Sequence, residues 1–353
     1  MSWSYRIARI AGTDVKVHIT FLLLLGFFWL SGGPAAGLLL LALFGCVLLH
    51  EFGHIWMAAR FGVRTPDVIL LPIGGLARLE RMPEEPRQEL LIAIAGPIVT
   101  LIIAAVFYLW LASTGAPPPL LPSLRVEPGS FLETLYRINV LLLLFNLLPA
   151  FPLDGGRVLR AMLAARLGLV RGTRIAASIG QMLAFAIGFY AIMNGELLLL
   201  LIAFFIFTGA GTEATAVETR LAGRGLAVRD MMVTDFRTLP IYATLADAAE
   251  LLVAGEQREF PVVDNLGGVE GLLTRDDLVR GLAANGAGGM ARDAMSSGLI
   301  HLPPDLPFDE AVQRLRASRL PALPVVEGGQ LVGLVTLDNI TDLLLIRRAV
   351  GRS

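Results

Sequence analysis

Long apolar runs separated by polar turns fill residues 17–213, whereas residues 220–353 mix apolar and charged positions as soluble domains do. Apolar runs of about 20 residues predict membrane-spanning helices. A Ser-Gly-Gly-Pro sequence at 31–34 breaks the first run. The first and last helices are short for a span, so we expect them to be tilted or shielded. The six predicted helices cover 17–30, 36–59, 88–112, 131–148, 175–193 and 197–212.

Composition divides the chain in two. Of its 353 residues 55% are hydrophobic and 17% are charged, and the mean hydropathy is +0.68. These values indicate a polytopic α-helical membrane domain at 1–213 and a soluble α/β domain at 227–346, joined by a linker at 214–226. The lipid bilayer is therefore an expected partner. A net charge of −1 gives no support for a nucleic acid partner.

Basic residues predict the orientation in the membrane. If the N-terminus is inside, the inner stretches 1–17, 60–87 and 157–174 carry thirteen Arg and Lys residues, whereas the outer stretches carry only Arg125. Positive residues concentrate on the cytoplasmic side of membrane proteins. We therefore expect a multi-pass protein of the cell membrane whose N-terminus and soluble domain are both cytoplasmic.

The second predicted helix contains the sequence HEFGH at 50–54 within an apolar stretch. Ionisable groups at this depth are costly to bury, so their presence indicates a function. Positions i and i+4 share a helix face, which lets His50 and His54 bind one Zn²⁺ while Glu51 carries protons beside it. Cys46 lies one turn earlier on that face and could be either another ligand or a small packing residue.

Catalytic zinc usually has three protein ligands and an open position, so a third ligand is expected. The fourth predicted helix ends in the sequence NLLPAFPLDGG at 146–156, where Asp154 lies at the same inner level as the two histidines. The prolines and glycines around it break the helix, so the backbone can turn the carboxylate toward the metal. The alternative is a solvated aspartate in a turn.

The soluble part is an internal repeat. The sequence RDMM at 229–232 recurs as RDAM at 292–295, an offset of 63 residues, and a PVV sequence recurs at the same offset. A GLLT sequence likewise returns as GLVT. Each copy predicts the order helix, strand, turn, strand, helix. Together they indicate a pair of small α/β units at about 227–284 and 290–346.

These motifs, in this order, resemble the site-2 protease family of intramembrane zinc metalloproteases. The repeat pair resembles cystathionine-β-synthase-type (CBS) repeats, so the resemblance spans nearly the whole chain. It implies that His50, His54 and Asp154 are ligands to one Zn²⁺ and that Glu51 is the catalytic carboxylate. All four positions match the family pattern.

Two further predictions concern the substrate. The family motif includes Asn146, which would donate a hydrogen bond to the developing oxyanion; alternatively it bonds between helices, the structural role that we assign to Asn139. The residues 68–80 predict a hairpin around Gly74-Gly75, where the family has a membrane-dipping β-loop. We expect this hairpin to bind unwound substrate by strand addition; the alternative is an inner surface loop.

In CBS repeats a Thr and an acidic or amide residue three positions later contact ribose and phosphate. Thr274 with Asp277, and Thr336 with Asn339, stand at those positions. The resemblance therefore implies that ATP or another adenine nucleotide binds the repeats and regulates access to the zinc. The alternative is a folded dimerisation module without a ligand, through which the chain forms a homodimer.

The sequence thus predicts a zinc metalloendopeptidase that hydrolyses peptide bonds in or near the membrane-spanning segments of a transmembrane protein substrate. The substrate must unwind locally, because the carbonyls of a membrane helix are hydrogen-bonded within it. Release of a cytoplasmic regulator by regulated intramembrane proteolysis is the expected outcome. The competing class is a metal-binding transporter or receptor that the repeats gate and that has no protease activity.

Overall fold

The computed structural model describes residues 3–72, 74–80, 85–115, 117–121 and 129–350, with the side chains of 348–350 excepted. The chain divides into two compact units, Met1–Val217 and Glu218–Ser353. Each unit has its own hydrophobic clusters.

The first unit opens with two strands before its first helix. Residues 13–18 alternate buried and half-exposed positions, and that period of two is typical of a strand. The predicted first helix at 17–30 therefore begins too early, because Val17 lies in a strand and His18 caps the helix. The elements of this unit are β1 (Ser4–Ile10), β2 (Thr13–His18), α1 (Ile19–Arg60), β3 (Asp67–Leu71), β4 (Gly74–Arg78), α2 (Pro86–Ser113), α3 (Phe131–Asn146), α4 (Asp154–Leu167), α5 (Leu169–Asn194) and α6 (Leu197–Ala222).

Helix α1 is folded back on itself as two legs. Its backbone breaks at Gly33, whose φ of 75° lies in the left-handed region, directly before Pro34. The rings of Phe21 and Phe44 have their centroids 4.4 Å apart, whereas a straight helix would separate these residues by about 35 Å. The break predicted at 31–34 is confirmed, and the two legs correspond to the first two predicted helices.

The count of six membrane spans stays a prediction. In the part of the chain that the structure describes, four helices are long and apolar enough to cross a membrane: α1, α2, α5 and α6. Helix α3 has 16 residues, which is short against the ~20 that a span needs. The orientation also stays a prediction, and two of its basic residues, Arg81 and Arg125, lie outside the described residues.

Two helical segments lie where the sequence predicts none. Helix α4 begins at Asp154 and, with the start of α5, occupies the stretch 157–174 that was expected to be an inner loop. Helix α6 continues to Ala222, through most of the linker expected at 214–226. Both segments contain charged residues, so a criterion based on uninterrupted apolar length stops short of them.

A four-stranded sheet, in the order β1-β2-β3-β4, packs beside α1. The hairpin predicted at 68–80 is confirmed as β3 and β4, although Gly74 and Gly75 lie in β4 rather than in its turn. Asp67 joins three strands, because Lys16 Nζ lies 2.5 Å and Arg78 Nε 2.6 Å from its carboxylate. The hydrogen bond from Arg78 holds the pKa of Asp67 below its ordinary value.

The second unit contains the two repeats, and a methionine near the start of each repeat packs against the other repeat. Met232 of the first repeat packs on Gly333 of the second, and Met295 of the second packs on Gly271 of the first. A Cβ at Gly333 or Gly271 would lie 2.6 or 2.4 Å from the methionine sulfur. The recurring motifs are therefore the two halves of one reciprocal contact. The elements are β5 (Leu239–Pro240), α7 (Leu245–Ala254), β6 (Glu259–Val263), β7 (Val269–Thr274), α8 (Arg275–Asn285), α9 (Ala291–Ala294), β8 (Ser296–Ser297), α10 (Phe308–Ser318), β9 (Ala322–Glu327), β10 (Gln330–Thr336) and α11 (Leu337–Val350).

Candidate metal centre

The second leg of α1 presents His50 and His54 on one face, as the i, i+4 spacing predicts. The Nδ1 atom of His54 lies 2.7 Å from the carbonyl oxygen of Ile92 in α2. Because a carbonyl can only accept, this Nδ1 carries the proton and Nε2 keeps its lone pair. The Nδ1 atom of His50 lies 2.9 Å from the Thr100 hydroxyl, which donates a longer bond of 3.4 Å to the Gly96 carbonyl. Both Nε2 atoms are therefore available to a metal.

Asp154 completes a cluster of three ligand atoms. Its Oδ2 atom lies 3.2 Å from His50 Nε2 and 3.3 Å from His54 Nε2, and the two Nε2 atoms are 3.1 Å apart. Tetrahedral ligands at the usual zinc bond lengths of about 2.0–2.1 Å stand about 3.3 Å from one another. The two nitrogens and one oxygen, together with their spacing, fit zinc. The structure brings together the three side chains that the sequence singled out.

The turn before α4 aims Asp154 at the histidines. The backbone of this turn is packed so closely that a Cβ at Gly155 would lie 2.2 Å from the Leu148 carbonyl oxygen, and one at Gly156 2.5 Å from Ala150. Asp154 is then the first residue of α4. The glycines after the aspartate therefore serve close backbone packing, which only a residue without a side chain permits.

Helix α2 supplies groups that the sequence did not reveal. Ile92 and Thr100 hold the imidazoles, but each lies far along the chain from its histidine, so no local pattern indicates the contact. Gly96 of the same helix lies against both imidazoles. A Cβ there would lie 2.2 Å from His54 Nε2 and 2.8 Å from His50 Cε1. An interrupting glycine in an apolar run was thus the one available signal.

Glu51 lies against the edge strand of the sheet. A Cβ added at Gly75 of β4 would come within 2.5 Å of Glu51 Cγ and 3.1 Å of Glu51 Oε1. The absence of a side chain at position 75 therefore gives the carboxylate its space. Because Glu51 directly follows His50, its carboxylate lies in the same turn of α1 as that histidine.

The two asparagines of α3 differ in their contacts. Asn139 is buried, its amide donates to the Leu135 carbonyl at 2.8 Å, and it contacts the Cys46 thiol. Cys46 is buried, and in the described part of the chain its sulfur is not among the ligand atoms of the cluster. Asn146 is half-buried at the end of α3, and its amide makes no hydrogen bond among the residues that the structure describes. Of the two asparagines in α3, Asn146 is the one whose side-chain N–H groups could donate to a substrate.

In the second unit, Thr274 and Asp277 line a cavity of about 690 Å³. They cap α8 together, since the Thr274 hydroxyl donates to Asp277 Oδ2 at 2.7 Å and the Asp277 amide donates back at 3.1 Å. In the second pair, Thr336 accepts from the Asn339 backbone amide at 3.0 Å, while the Asn339 side chain donates to the Met231 carbonyl. The side-chain amide of Asn339 therefore already joins the second repeat to the first. Five arginines line the cavity: Arg258, Arg275, Arg280, Arg316 and Arg319.

The fold and the site together define a membrane metalloenzyme. The family model for peptidase family M50 matches residues 38–120 and 121–187, and the CBS domain model matches 228–284 and 291–346. Zinc metalloprotease MJ0392 of Methanocaldococcus jannaschii is 31% identical, with 96% of both chains covered. Rip3 of Mycobacterium tuberculosis is 33% identical over 97% of this chain and 93% of its own.

Among solved structures, the site-2 protease from Methanocaldococcus jannaschii shares 36% identity and covers 60% of this chain and 95% of its own, with a TM-score of 0.46. The chain belongs to peptidase family M50 and combines its peptidase domain with a CBS domain pair. The expected class, an intramembrane zinc metalloprotease with CBS repeats, is thereby confirmed, and the transporter interpretation receives no support from these matches.

Proposed function

We propose that the protein is an endopeptidase of the site-2 type, which cuts transmembrane substrates at a zinc ion held by His50, His54 and Asp154. The observation that carries the proposal is the triangle of two Nε2 atoms and one Oδ2 atom with sides of 3.1–3.3 Å. Ligand atoms from two distant segments meet at the spacing of zinc ligands. Such convergence without a metal would leave a carboxylate and two imidazoles inside a membrane protein for no purpose.

The side chains divide the chemistry between them. When bound, zinc supplies a Lewis acid that polarises the substrate carbonyl and acidifies water. Glu51 accepts a proton at its carboxylate from the attacking water and returns it to the leaving amine. Asn146 donates its amide N–H to the carbonyl oxygen as negative charge develops there. The hydrogen bonds of the two Nδ1 atoms with Ile92 and Thr100 keep both Nε2 atoms facing the zinc site.

The substrate binds as an added strand on β4. Among the strands that the structure describes, β4 lies at one edge of the sheet, so its outer backbone groups can pair with an extended segment. Gly75 of β4 contacts Glu51, so a strand paired there runs past the catalytic carboxylate. An unwound segment that pairs with the sheet also recovers the hydrogen bonds lost from its helix.

The test is a cleavage assay with Glu51→Gln in the full-length protein, using a membrane-embedded substrate in detergent. The amide keeps the size of the carboxylate but cannot accept the proton, so turnover falls by about 10²–10⁴-fold. Zinc content stays at the wild-type value, because Gln replaces no ligand. A metal transporter would instead retain its transport after this substitution, and a variant that cleaves at the wild-type rate would contradict the proposal.

An adenine nucleotide regulates this activity from the cavity lined by Thr274 and Asp277. Support comes from the match to the CBS model and from the excess of arginines around the cavity, which suits phosphate groups. The Asn339 amide is committed to Met231, so the second pair is the weaker candidate. The protein lies in the cell membrane with its N-terminus and repeats in the cytoplasm, where such nucleotides are present.

A further inference from the structure

Helix α2 carries a stripe of contacts that reaches beyond the two histidines. Glu89, Ile92, Gly96 and Thr100 follow one another at intervals of three and four residues, so they share one face of the helix. The last three contact the imidazoles. Glu89 lies one turn before Ile92, is buried, and bonds to Arg160 of α4. The same face therefore contacts both the histidines and the helix that begins with Asp154.

Arg160 is at the centre of a buried ionic cluster. Only 3% of its surface is exposed, and its Nε donates to Glu89 Oε1 at 2.6 Å. A second guanidinium nitrogen donates to Glu213 of α6. The guanidinium also lies over the ring of Phe151, 5.0 Å from its centroid. Phe151 is fully buried in the turn that presents Asp154.

We propose that Arg160 is a positioning residue for the metal centre. It fixes α4 and the preceding turn to the α2 face that orients the histidines, and so it sets where the Asp154 oxygen lies. A metal–oxygen bond of about 2.0–2.2 Å tolerates little displacement, and α4 begins with the ligand itself. This inference rests on the proposed zinc ligands.

The geometry requires an arginine rather than any cation. The guanidinium reaches two carboxylates and an aromatic face at once, through its planar array of donors. A lysine has one ammonium and cannot satisfy Glu89 and Glu213 in these directions. A buried carboxylate left without a partner is strongly destabilising, so substitution moves α4 until the groups are again satisfied.

The experiment compares Arg160→Lys and Glu213→Gln with the wild type in the full-length protein. Zinc affinity is measured by competition with a chelator, with kcat, KM and the thermal midpoint recorded alongside. We expect zinc to bind roughly tenfold more weakly in both variants, as for other residues that orient metal ligands, and kcat to fall while KM stays constant. The matched control is Arg166→Lys, an exposed arginine of the same helix, which keeps wild-type values.

A double-mutant cycle separates positioning from general stability. In an Asp154→Asn background Glu213→Gln has no additional effect on zinc affinity if it acts through Asp154. Equal losses in both backgrounds, or folded variants with wild-type zinc affinity and only a lower thermal midpoint, would overturn the inference. If Arg160→Lys does not fold, Glu213→Gln decides alone, because that carboxylate is the more exposed partner. A wild type that binds no zinc would refute the proposed function instead.

Discussion

At the level of single side chains, hydrogen bonds to α2 orient the two imidazoles. Each histidine has its Nδ1 in a hydrogen bond with α2, one to the Ile92 carbonyl and one to the Thr100 hydroxyl. These bonds select the tautomer that leaves Nε2 free and restrict rotation of the rings. Gly96 allows α2 to approach closely enough to make both contacts.

Gly96→Ala tests this close approach. The new Cβ would lie 2.2 Å from His54 Nε2, which is too close for the ring to remain in place, so zinc binding weakens about tenfold or more. The matched control is Gly45→Ala in α1, where a Cβ meets nothing within 4 Å. Chelator competition on both variants is the measurement. Equal zinc affinity in the two variants would show that the contact with α2 does not matter.

At the level of elements, the sheet beside α1 is held by a charge cluster. Asp67 of β3 accepts hydrogen bonds from Lys16 of β2 and Arg78 of β4, so one carboxylate crosslinks three strands. Its pKa is lowered by the bond from Arg78. The strand β4 that we propose as the substrate-binding edge depends on this cluster for its position.

The pH dependence of stability tests the cluster. A carboxyl whose pKa is lower in the folded state stabilises the fold fully above its unfolded pKa of about 3.9, and this stabilisation is lost as the pH falls through the folded pKa. Asp67→Asn therefore has a lower thermal midpoint than the wild type at pH 6, and the difference shrinks below about pH 4. The control is Asp235→Asn, an exposed aspartate, whose difference from the wild type stays near zero. A constant difference for Asp67→Asn across this range would contradict the prediction.

Some structural elements could be predicted from the sequence, and others could not. The register of His50 and His54 follows from one helical period, and the break at Gly33 from local backbone chemistry. Helix α4 was missed because its charged residues interrupt the apolar pattern. Strand β2 was missed because its alternating residues adjoin a long apolar run. The contacts of Thr100 and Arg160 depend on how distant helices pack, which no local pattern contains.

At the level of the whole molecule, the two repeats differ in the contacts made by their predicted nucleotide-binding residues. Thr274 and Asp277 lie in the arginine-lined cavity, whereas the Asn339 side chain bonds to Met231 in holding the repeats together. The asymmetry matches a difference already visible in the sequence, where the second pair has an amide in place of the acid. The homodimer expected through the repeats stays a prediction.

A titration of the full-length protein with ATP, in which binding is measured by calorimetry, tests this asymmetry. We expect one nucleotide per chain, and a change in cleavage rate as the site fills. Arg319→Gln, which removes one cavity arginine, weakens binding, whereas Arg292→Gln, outside the cavity lining, does not. Two equal sites per chain would contradict the asymmetry, and a cleavage rate that is constant across the titration would refute regulation through this cavity.

X-ray absorption spectroscopy at the zinc edge measures the ligand set in the purified full-length protein. We expect one zinc per chain with two imidazole nitrogens and oxygen ligands at about 2.0–2.2 Å, and no sulfur at about 2.3 Å. Asp154→Asn should lose an oxygen ligand and most of its zinc while both histidines remain. A sulfur ligand from Cys46, or a zinc environment unchanged in Asp154→Asn, would show that His50, His54 and Asp154 are not the zinc ligands.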